Sequence, residues 1–287
     1  MAAAGWMGLA LLCFSAMAVA AREAGAALDT FEIMLWRSLV AVVVVLAVVA
    51  ATGRLASLRA RRMGLHVTRN AAHFFGQNCW LHAVTVIPLA QLFAYEFTFP
   101  LMVLVLAPLV LGERFTRMRA ITAALGFVGI LIVAQPWAGG GAAGFGPGQI
   151  AALGAAVGFA FNVMFTKMLS RTESTASIIF FMSLLQGLMG AAFAGWDLDV
   201  ALPSSQGWPF VVAIALSGLG AHASLARALS LAPATVVAPM EFLRLPLIAV
   251  VGLWIYGEPL EIAVFAGAAV VFGANLMNLR AETRRAA

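Results

Sequence analysis

Residues 88–113, PLAQLFAYEFTFPLMVLVLAPLVLGE, decide the fold of this chain. The run is long and apolar enough to cross a bilayer as a helix, yet it carries an acid, Glu96, well inside it and ends in Gly112-Glu113. An ionisable side chain at the centre of a membrane helix costs at least roughly 2.5–3.5 kcal/mol. We therefore expect Glu96 to face a polar cavity or a pathway through the membrane.

The same layout occurs once more, at an offset of 145 residues. Residues 233–258 read PATVVAPMEFLRLPLIAVVGLWIYGE, with Glu241 at the position that corresponds to Glu96. The proline that opens each run and the Gly-Glu pair that closes it are also in register. Two acids at matching positions indicate a repeated architecture.

Composition excludes an ordinary soluble protein. Of 287 residues, 63% are hydrophobic and 10% are charged, whereas soluble domains carry about 25% charged residues. The formal net charge of +5 does not indicate a nucleic-acid partner, because the basic residues occur in short clusters between apolar runs. The two cysteines, Cys13 and Cys79, both fall within apolar runs and predict neither a disulfide nor a metal site.

We predict an all-α integral membrane protein with ten transmembrane helices. The first run is retained as a helix although Ala18-Val19-Ala20 resembles a signal-peptidase site, because no basic residue precedes it. Each predicted span is about 17–25 residues long, as a bilayer crossing requires. The spans are 5–21, 31–52, 67–86, 89–110, 118–137, 147–168, 176–195, 208–230, 234–256 and 260–279.

Basic residues predict the orientation. They concentrate in alternate connections, at 54–69, 114–119, 167–171 and 280–285. By the positive-inside rule both termini are cytoplasmic, and the protein lies in the cell's inner membrane. Five spans is an odd number, so residues 1–140 and 141–287 cross the membrane in opposite senses. The chain is thus predicted to be an inverted repeat, an arrangement that places a binding site at the midplane between the halves.

The two acids are the first candidate site residues. Each lies seven or eight residues into its span, roughly 10–12 Å along the helix. Glu241 has a ready partner in Arg244, three residues later on the same helical face. Glu96 has only Phe99 at the equivalent place, so we expect Glu96 to be the functional acid, as a ligand for a substrate amine or as a proton carrier.

Three other polar residues lie mid-span. Arg37 either pairs with Glu96 as a structural strut or binds a substrate carboxylate, and the sequence leaves both roles open. Gln77 corresponds to His222 under the same offset, which predicts equivalent walls of one cavity. A structural hydrogen bond is the alternative role of His222.

Further candidates come from neighbouring positions. Asn162 adds an amide, and Tyr95 and Phe242 stand beside the two acids, either lining the cavity or packing between helices. Glu113 and Glu258 end their spans before short turns and are expected to cap the helices that follow.

Several motifs carry a family resemblance. Together they resemble the two EamA repeats of the drug/metabolite transporter superfamily, over nearly the whole chain. The resemblance implies a ten-helix inverted-repeat fold and transport of amino acids, purine-related metabolites, S-adenosylmethionine or other small amphiphiles, mostly outward. The motifs are Leu111-Gly112-Glu113-Arg114, Tyr256-Gly257-Glu258-Pro259, Ile87-Pro88-Leu89, Ala232-Pro233-Ala234 and Ala238-Pro239-Met240-Glu241-Phe242.

The sequence therefore favours a secondary transporter of a small polar or zwitterionic metabolite, an amino acid or a related compound, that exports or exchanges it by alternating access. Its coupling partner would be a proton or a counter-substrate, and no cofactor is expected. One alternative is an intramembrane enzyme, but no HExxH, GxSxG or Walker A motif occurs. The other is a structural or regulatory membrane protein. Both a monomer and a homodimer fit the sequence.

Overall fold

The computed structural model describes residues 2–111, 117–135, 146–196, 198–231 and 240–286, and within these ranges every regular element is helical. Short 3₁₀ turns occur at Leu55–Ser57 and Glu241–Leu243. The α-helices are α1 Ala2–Ala24, α2 Thr30–Ala51, α3 Met63–Val86, α4 Leu89–Glu96, α5 Phe99–Leu111, α6 Arg117–Ala134, α7 Pro147–Leu169, α8 Thr175–Ala194, α9 Trp208–Leu231, α10 Arg244–Tyr256 and α11 Ile262–Ala286.

Six helical stretches of the described residues are long and apolar enough to cross a membrane: α1, α2, the α4–α5 run, α7, α8 and α9. Shorter apolar stretches occupy Ala120–Ala134, Arg244–Tyr256 and Ile262–Asn278. The predicted all-α class and the presence of several membrane-length helices are thus confirmed for the described residues. The 24-residue α3 is not among the six, because polar side chains are spaced along it.

Capping determines where α2 begins. The Asp29 side chain accepts hydrogen bonds from the backbone N–H groups of Phe31 and Glu32, and Glu32 accepts one from the N–H of Asp29 in return. This capping box satisfies donors that a helix start otherwise leaves unpaired. The second carboxylate oxygen of Glu32 accepts from the Ala201 N–H at 2.6 Å, which ties α2 to the segment that leads into α9.

The span predicted over 89–110 is present as a membrane-length run, but its helix is interrupted. α4 ends at Glu96 and α5 begins at Phe99, so the run is broken at its middle. Pro100 explains the break, because proline has no N–H to donate and its ring clashes with the carbonyl four residues before it, that of Glu96. The matching region of the second half is also irregular, with the 3₁₀ turn at Glu241–Leu243 before α10.

Some predicted features fall outside the described residues. These are Gly112-Glu113, Arg114 and the motifs at 232–234 and 238–239.

Helices of the two halves pack directly on each other. α1 packs against α9, α3 against α7, α2 against α8, α6 against α11 and α4 against α10. The α3–α7 contact is close because two glycines face each other, and a Cβ placed at Gly158 would lie 2.6 Å from the Cα of Gly76. Small residues permit such approach between membrane helices. One hydrophobic core therefore runs through both halves.

Candidate functional site

A cavity of about 340 Å³ lies between helices of the two halves. Its volume falls within the range of small-molecule pockets. Its walls combine aromatic rings with charged and amide side chains from the helices α1, α2, α3, α4, α5, α7, α8, α9 and α10 and from the 3₁₀ turn before α10. The predicted site residues at its wall are Glu96, Glu241, Arg37, Arg244, Gln77, His222 and Asn162.

Tyr95 is the predicted site residue that does not line the cavity. Its side chain is 0% exposed and belongs to the hydrophobic core instead of the cavity wall. Its hydroxyl has no hydrogen-bond partner among the described residues. Of the two interpretations offered for the aromatic beside Glu96, packing between helices is therefore the one observed.

Glu96 is held by two partners, which corrects the expectation that it has none. Its Oε1 accepts from Nη2 of Arg244 at 2.6 Å, and its Oε2 accepts from Nε1 of Trp80 at 2.8 Å. The ion pair connects α4 of the first half with α10 of the second. The local pairing of Arg244 with Glu241 does not form.

Aromatic rings surround the Arg244 guanidinium. Its central carbon lies 4.7 Å from the centroid of Phe14, 4.6 Å from that of Phe93 and 5.3 Å from that of Phe97. Such distances permit cation–π attraction, which is stronger away from water. Rings and carboxylate together fix the position of this charge.

Glu241 is the acid of the cavity that has neither a hydrogen-bond donor nor an ion-pair partner among the described residues. It lies close enough to Arg244 and Glu96 to feel both charges. Yet no described residue donates a hydrogen bond to its carboxylate or forms an ion pair with it. The argument that favoured Glu96 as the acid free to bind a ligand therefore applies to Glu241.

Arg37 does not pair with Glu96, so its proposed role as a strut to that acid is wrong. Its Nη2 donates to Oε1 of Gln186 at 2.7 Å, and its Nε points to the sulfur of Met34 at 3.2 Å. Gln186 in turn hydrogen-bonds Nδ1 of His73. Arg37 is thus held at the cavity wall by neutral groups.

The other polar residues predicted for the site, Gln77, His222 and Asn162, also line the cavity. Gln77 on α3 and His222 on α9 both line the cavity, as the offset between the halves predicts for their positions. The His222 ring packs edge-on against Phe14 at a centroid distance of 5.6 Å. Oδ1 of Asn162 is enclosed and has no partner among the described residues.

Sequence reasoning missed several lining residues. The signal was present on α3, where Arg69, His73, Gln77 and Trp80 recur at helical spacing and define one face. Within the described part of the chain no three His, Cys, Asp or Glu side chains are grouped as metal ligands. The missed residues include Arg69, His73, Trp80, Thr166 and Gln186.

A second polar cluster lies at the end of α10. Gly257 adopts a left-handed conformation, with φ of 65°, and turns the chain so that Glu258 points back. Glu258 accepts from the Leu89 N–H at 2.8 Å and forms an ion pair with Arg22. Glu258 therefore caps α4 of the first half, which corrects the expectation that it caps the following helix.

Both halves of the chain match one known protein family. The model of the EamA-like transporter family matches residues 1–135 and again residues 146–280. The chain belongs to the EamA-like transporter family. As a family member it is a membrane transporter of small metabolites and not an enzyme.

Named relatives extend over nearly the full length of the chain. A riboflavin transporter of Brucella anthropi is 31% identical, with 96% of this chain and 98% of that protein covered. An S-adenosylmethionine uptake transporter of Rickettsia prowazekii is 26% identical over 97% and 92%. A pseudopaline exporter of Pseudomonas aeruginosa is 24% identical over 92% and 90%. A solved crystal structure shares the fold, with a TM-score of 0.66 at 19% identity over 99% of both chains.

Proposed function

We propose that this EamA-like protein is a secondary carrier that exports or exchanges a small polar or zwitterionic metabolite by alternating access. The observation that carries the proposal is the cavity between the halves, where Glu241 lacks a partner among the described residues and polar groups occur together with aromatic rings. A buried acid without compensation is costly in a membrane, so its retention fits a role in binding a cationic group or a proton. The coupling partner is a proton or a counter-substrate.

The proposed architecture is two inverted repeats of five transmembrane helices, residues 1–140 and 141–287. The pattern of helix contacts supports it: exchanging the halves converts the α1–α9 contact into the α3–α7 contact and leaves the α2–α8 contact unchanged. The cavity also receives both members of the pairs Glu96/Glu241 and Gln77/His222. The distribution of basic residues supports inner-membrane location with cytoplasmic termini.

The relatives do not supply the substrate. Their names give riboflavin, S-adenosylmethionine and pseudopaline, and they include both uptake and export. For this chain we infer the class of substrate from the charges of its own cavity. Amino acids and related compounds carry both charges that this cavity accommodates.

Proteoliposomes test the proposal. Vesicles with the wild-type protein are incubated with a mixture of amino acids, nucleoside-like metabolites and riboflavin, with and without a pH gradient, and uptake is read by mass spectrometry. We expect at least one polar or zwitterionic compound to accumulate above protein-free vesicles. Glu241→Gln should reduce the rate about ten-fold or more, because a hydrogen bond to a charged group is worth roughly 1.5–3 kcal/mol.

The matched control is Glu261→Gln, which removes an exposed carboxylate outside the cavity. This variant should transport within about two-fold of wild type, as surface charges contribute little. Failure of every compound to cross faster than in empty vesicles would overturn the carrier proposal. Equal rates for Glu241→Gln and wild type would remove Glu241 from the site.

A further inference from the structure

The length of the cavity can be estimated along α3. Arg69, His73, Gln77 and Trp80 all line it, and their spacing places them on one face of that helix. At 1.5 Å per residue, Arg69 and Trp80 are roughly 16 Å apart along the axis, and His73 and Trp80 roughly 10 Å apart. The cavity therefore has two ends, and their chemistry differs.

The end near His73 is positively charged. Arg37 reaches it through Gln186, which hydrogen-bonds His73, and His73 is close enough to both Arg37 and Arg69 to feel their charges. Nε of Arg69 donates to Oγ1 of Thr166 at 2.9 Å, which fixes that side chain. No carboxylate of the described residues lies within ion-pairing distance of either arginine.

Both guanidinium groups keep hydrogen-bond donors for a ligand. Each has five N–H groups. Toward the described residues, Arg37 donates hydrogen bonds only from Nε and Nη2, and Arg69 only from Nε and Nη1. Among the described residues the other terminal nitrogen of each arginine has no hydrogen-bond partner, and both side chains line the cavity. These donors are therefore accessible from the cavity.

The end near Trp80 is acidic. Trp80 donates to Glu96, and Glu96 and Arg244 neutralise each other as an ion pair. Glu241 remains as the acid without a hydrogen-bond or ion-pair partner among the described residues. Two arginines without an acidic partner and one acid without a basic partner thus occupy different levels of one cavity.

We propose that Arg37 and Arg69 form an anion-binding subsite, so that the substrate carries a carboxylate or phosphate at this end and a cationic group roughly 10–16 Å away at Glu241. This inference rests on the proposed carrier function. The guanidinium fork suits either anion, because it donates two parallel hydrogen bonds. The ammonium and carboxylate of a simple α-amino acid are two bonds apart, less than about 3 Å, so it reaches only one end. Within the class of amino acids and related compounds, this geometry favours a zwitterion whose two charges are far apart.

A series of ω-aminocarboxylates of increasing chain length tests the distance between the two charges of the substrate. Glycine, 4-aminobutanoate, 8-aminooctanoate and 12-aminododecanoate are titrated into the purified full-length protein in nanodiscs, and binding is read from tryptophan fluorescence, which includes Trp80 at the wall. An extended chain of eight bonds spans roughly 10 Å and one of twelve roughly 15 Å. We expect 8-aminooctanoate or 12-aminododecanoate to bind about ten-fold or more tightly than glycine and than the matched octanoate and octylamine, which lack one charge each. The corresponding aminoalkyl phosphate distinguishes a phosphate subsite from a carboxylate subsite.

Arginine variants test the subsite. Arg37→Gln and Arg69→Gln should weaken the best zwitterion about ten-fold or more and leave octylamine within about two-fold, which shows that the acidic end remains folded. Arg54→Gln, which removes an exposed arginine outside the cavity, should bind like wild type. If a Gln variant does not insert, its Lys counterpart keeps the charge but loses the fork and should weaken binding about three-fold or more.

Two results would overturn the inference: glycine binding as tightly as the long zwitterions, or both arginine variants binding every probe like wild type. These results are separable from failure of the carrier proposal. Binding of the aminocarboxylate series without transport of any metabolite would refute the carrier and keep the subsite. Transport of metabolites without length dependence would refute the subsite and keep the carrier.

Discussion

At the scale of single residues, Glu96 and Arg244 are held in a place where neither charge is stable alone. Arg244 is 5% exposed and Glu96 8%. Their ion pair leaves Glu241 without an ion-pair partner among the described residues. The structure thus separates two positions that the repeat makes look equivalent: Glu96 joins the halves, and Glu241 lines the cavity without a partner of its own.

A double-mutant cycle tests the joining role. Glu96→Gln and Arg244→Gln should each lower the free energy of unfolding by about 3–5 kcal/mol, because each leaves a buried charge unpaired. The double variant should lose less than the sum of the two, with a coupling of at least about 1 kcal/mol. Denaturant unfolding in detergent measures both quantities. Additive losses would contradict the pairing, and Glu261→Gln serves as the exposed control.

The sequence predicted the charged positions but not their partners. Glu241 and Arg244 are three positions apart, which local helix geometry makes an obvious pair. The partner that Arg244 takes comes from α4, 148 positions away along the chain. A contact of that kind depends on how α4 and α10 pack, which no local spacing reveals. Arg69 and His73 were missed although their spacing on α3 was visible.

At the scale of helices, the lipid bilayer makes prediction reliable. A spanning helix needs about 20 apolar residues, and helices α1, α2, α7, α8 and α9 occupy the expected positions within a few residues. The break between α4 and α5 was not predicted, although Pro100 carries the signal for it. Freed backbone groups are tolerated at this depth where they lie within the protein, and all of α4 is buried.

The α3–α7 contact can be tested by a single methyl group. Gly158→Ala places a Cβ 2.6 Å from the Cα and 2.8 Å from the N of Gly76, both in rigid backbone. We expect overpacking to lower the free energy of unfolding by about 1–3 kcal/mol. Gly8→Ala is the matched control on α1, because a Cβ there meets nothing within 4 Å. Thermal unfolding of both variants decides the point, and equal stabilities would contradict the close approach.

At the scale of the whole molecule, the halves share one core and one cavity. The Glu96–Arg244 pair bridges them at the cavity, and the Arg22–Glu258 pair bridges them again beyond the start of α4. A carrier must break and remake contacts of this kind as access changes sides. The repeat and a polar cavity between the halves could be predicted from the 145-residue offset, whereas the set of residues that lines the cavity depends on the packing of helices such as α3, α7 and α9.

Access to the cavity from both sides of the membrane tests the central claim most directly. In a protein with Cys13→Ser and Cys79→Ser, Gln77→Cys introduces one thiol at the cavity wall. Val43→Cys introduces one on the outer face of α2, where the side chain is 67% exposed. A membrane-impermeant maleimide requires a hydrated thiolate. The account predicts that Gln77→Cys reacts with reagent added to either side, that a transported substrate slows both reactions, and that Val43→Cys stays unlabelled. Reaction of Gln77→Cys from neither side, or from one side only under all conditions, would contradict it.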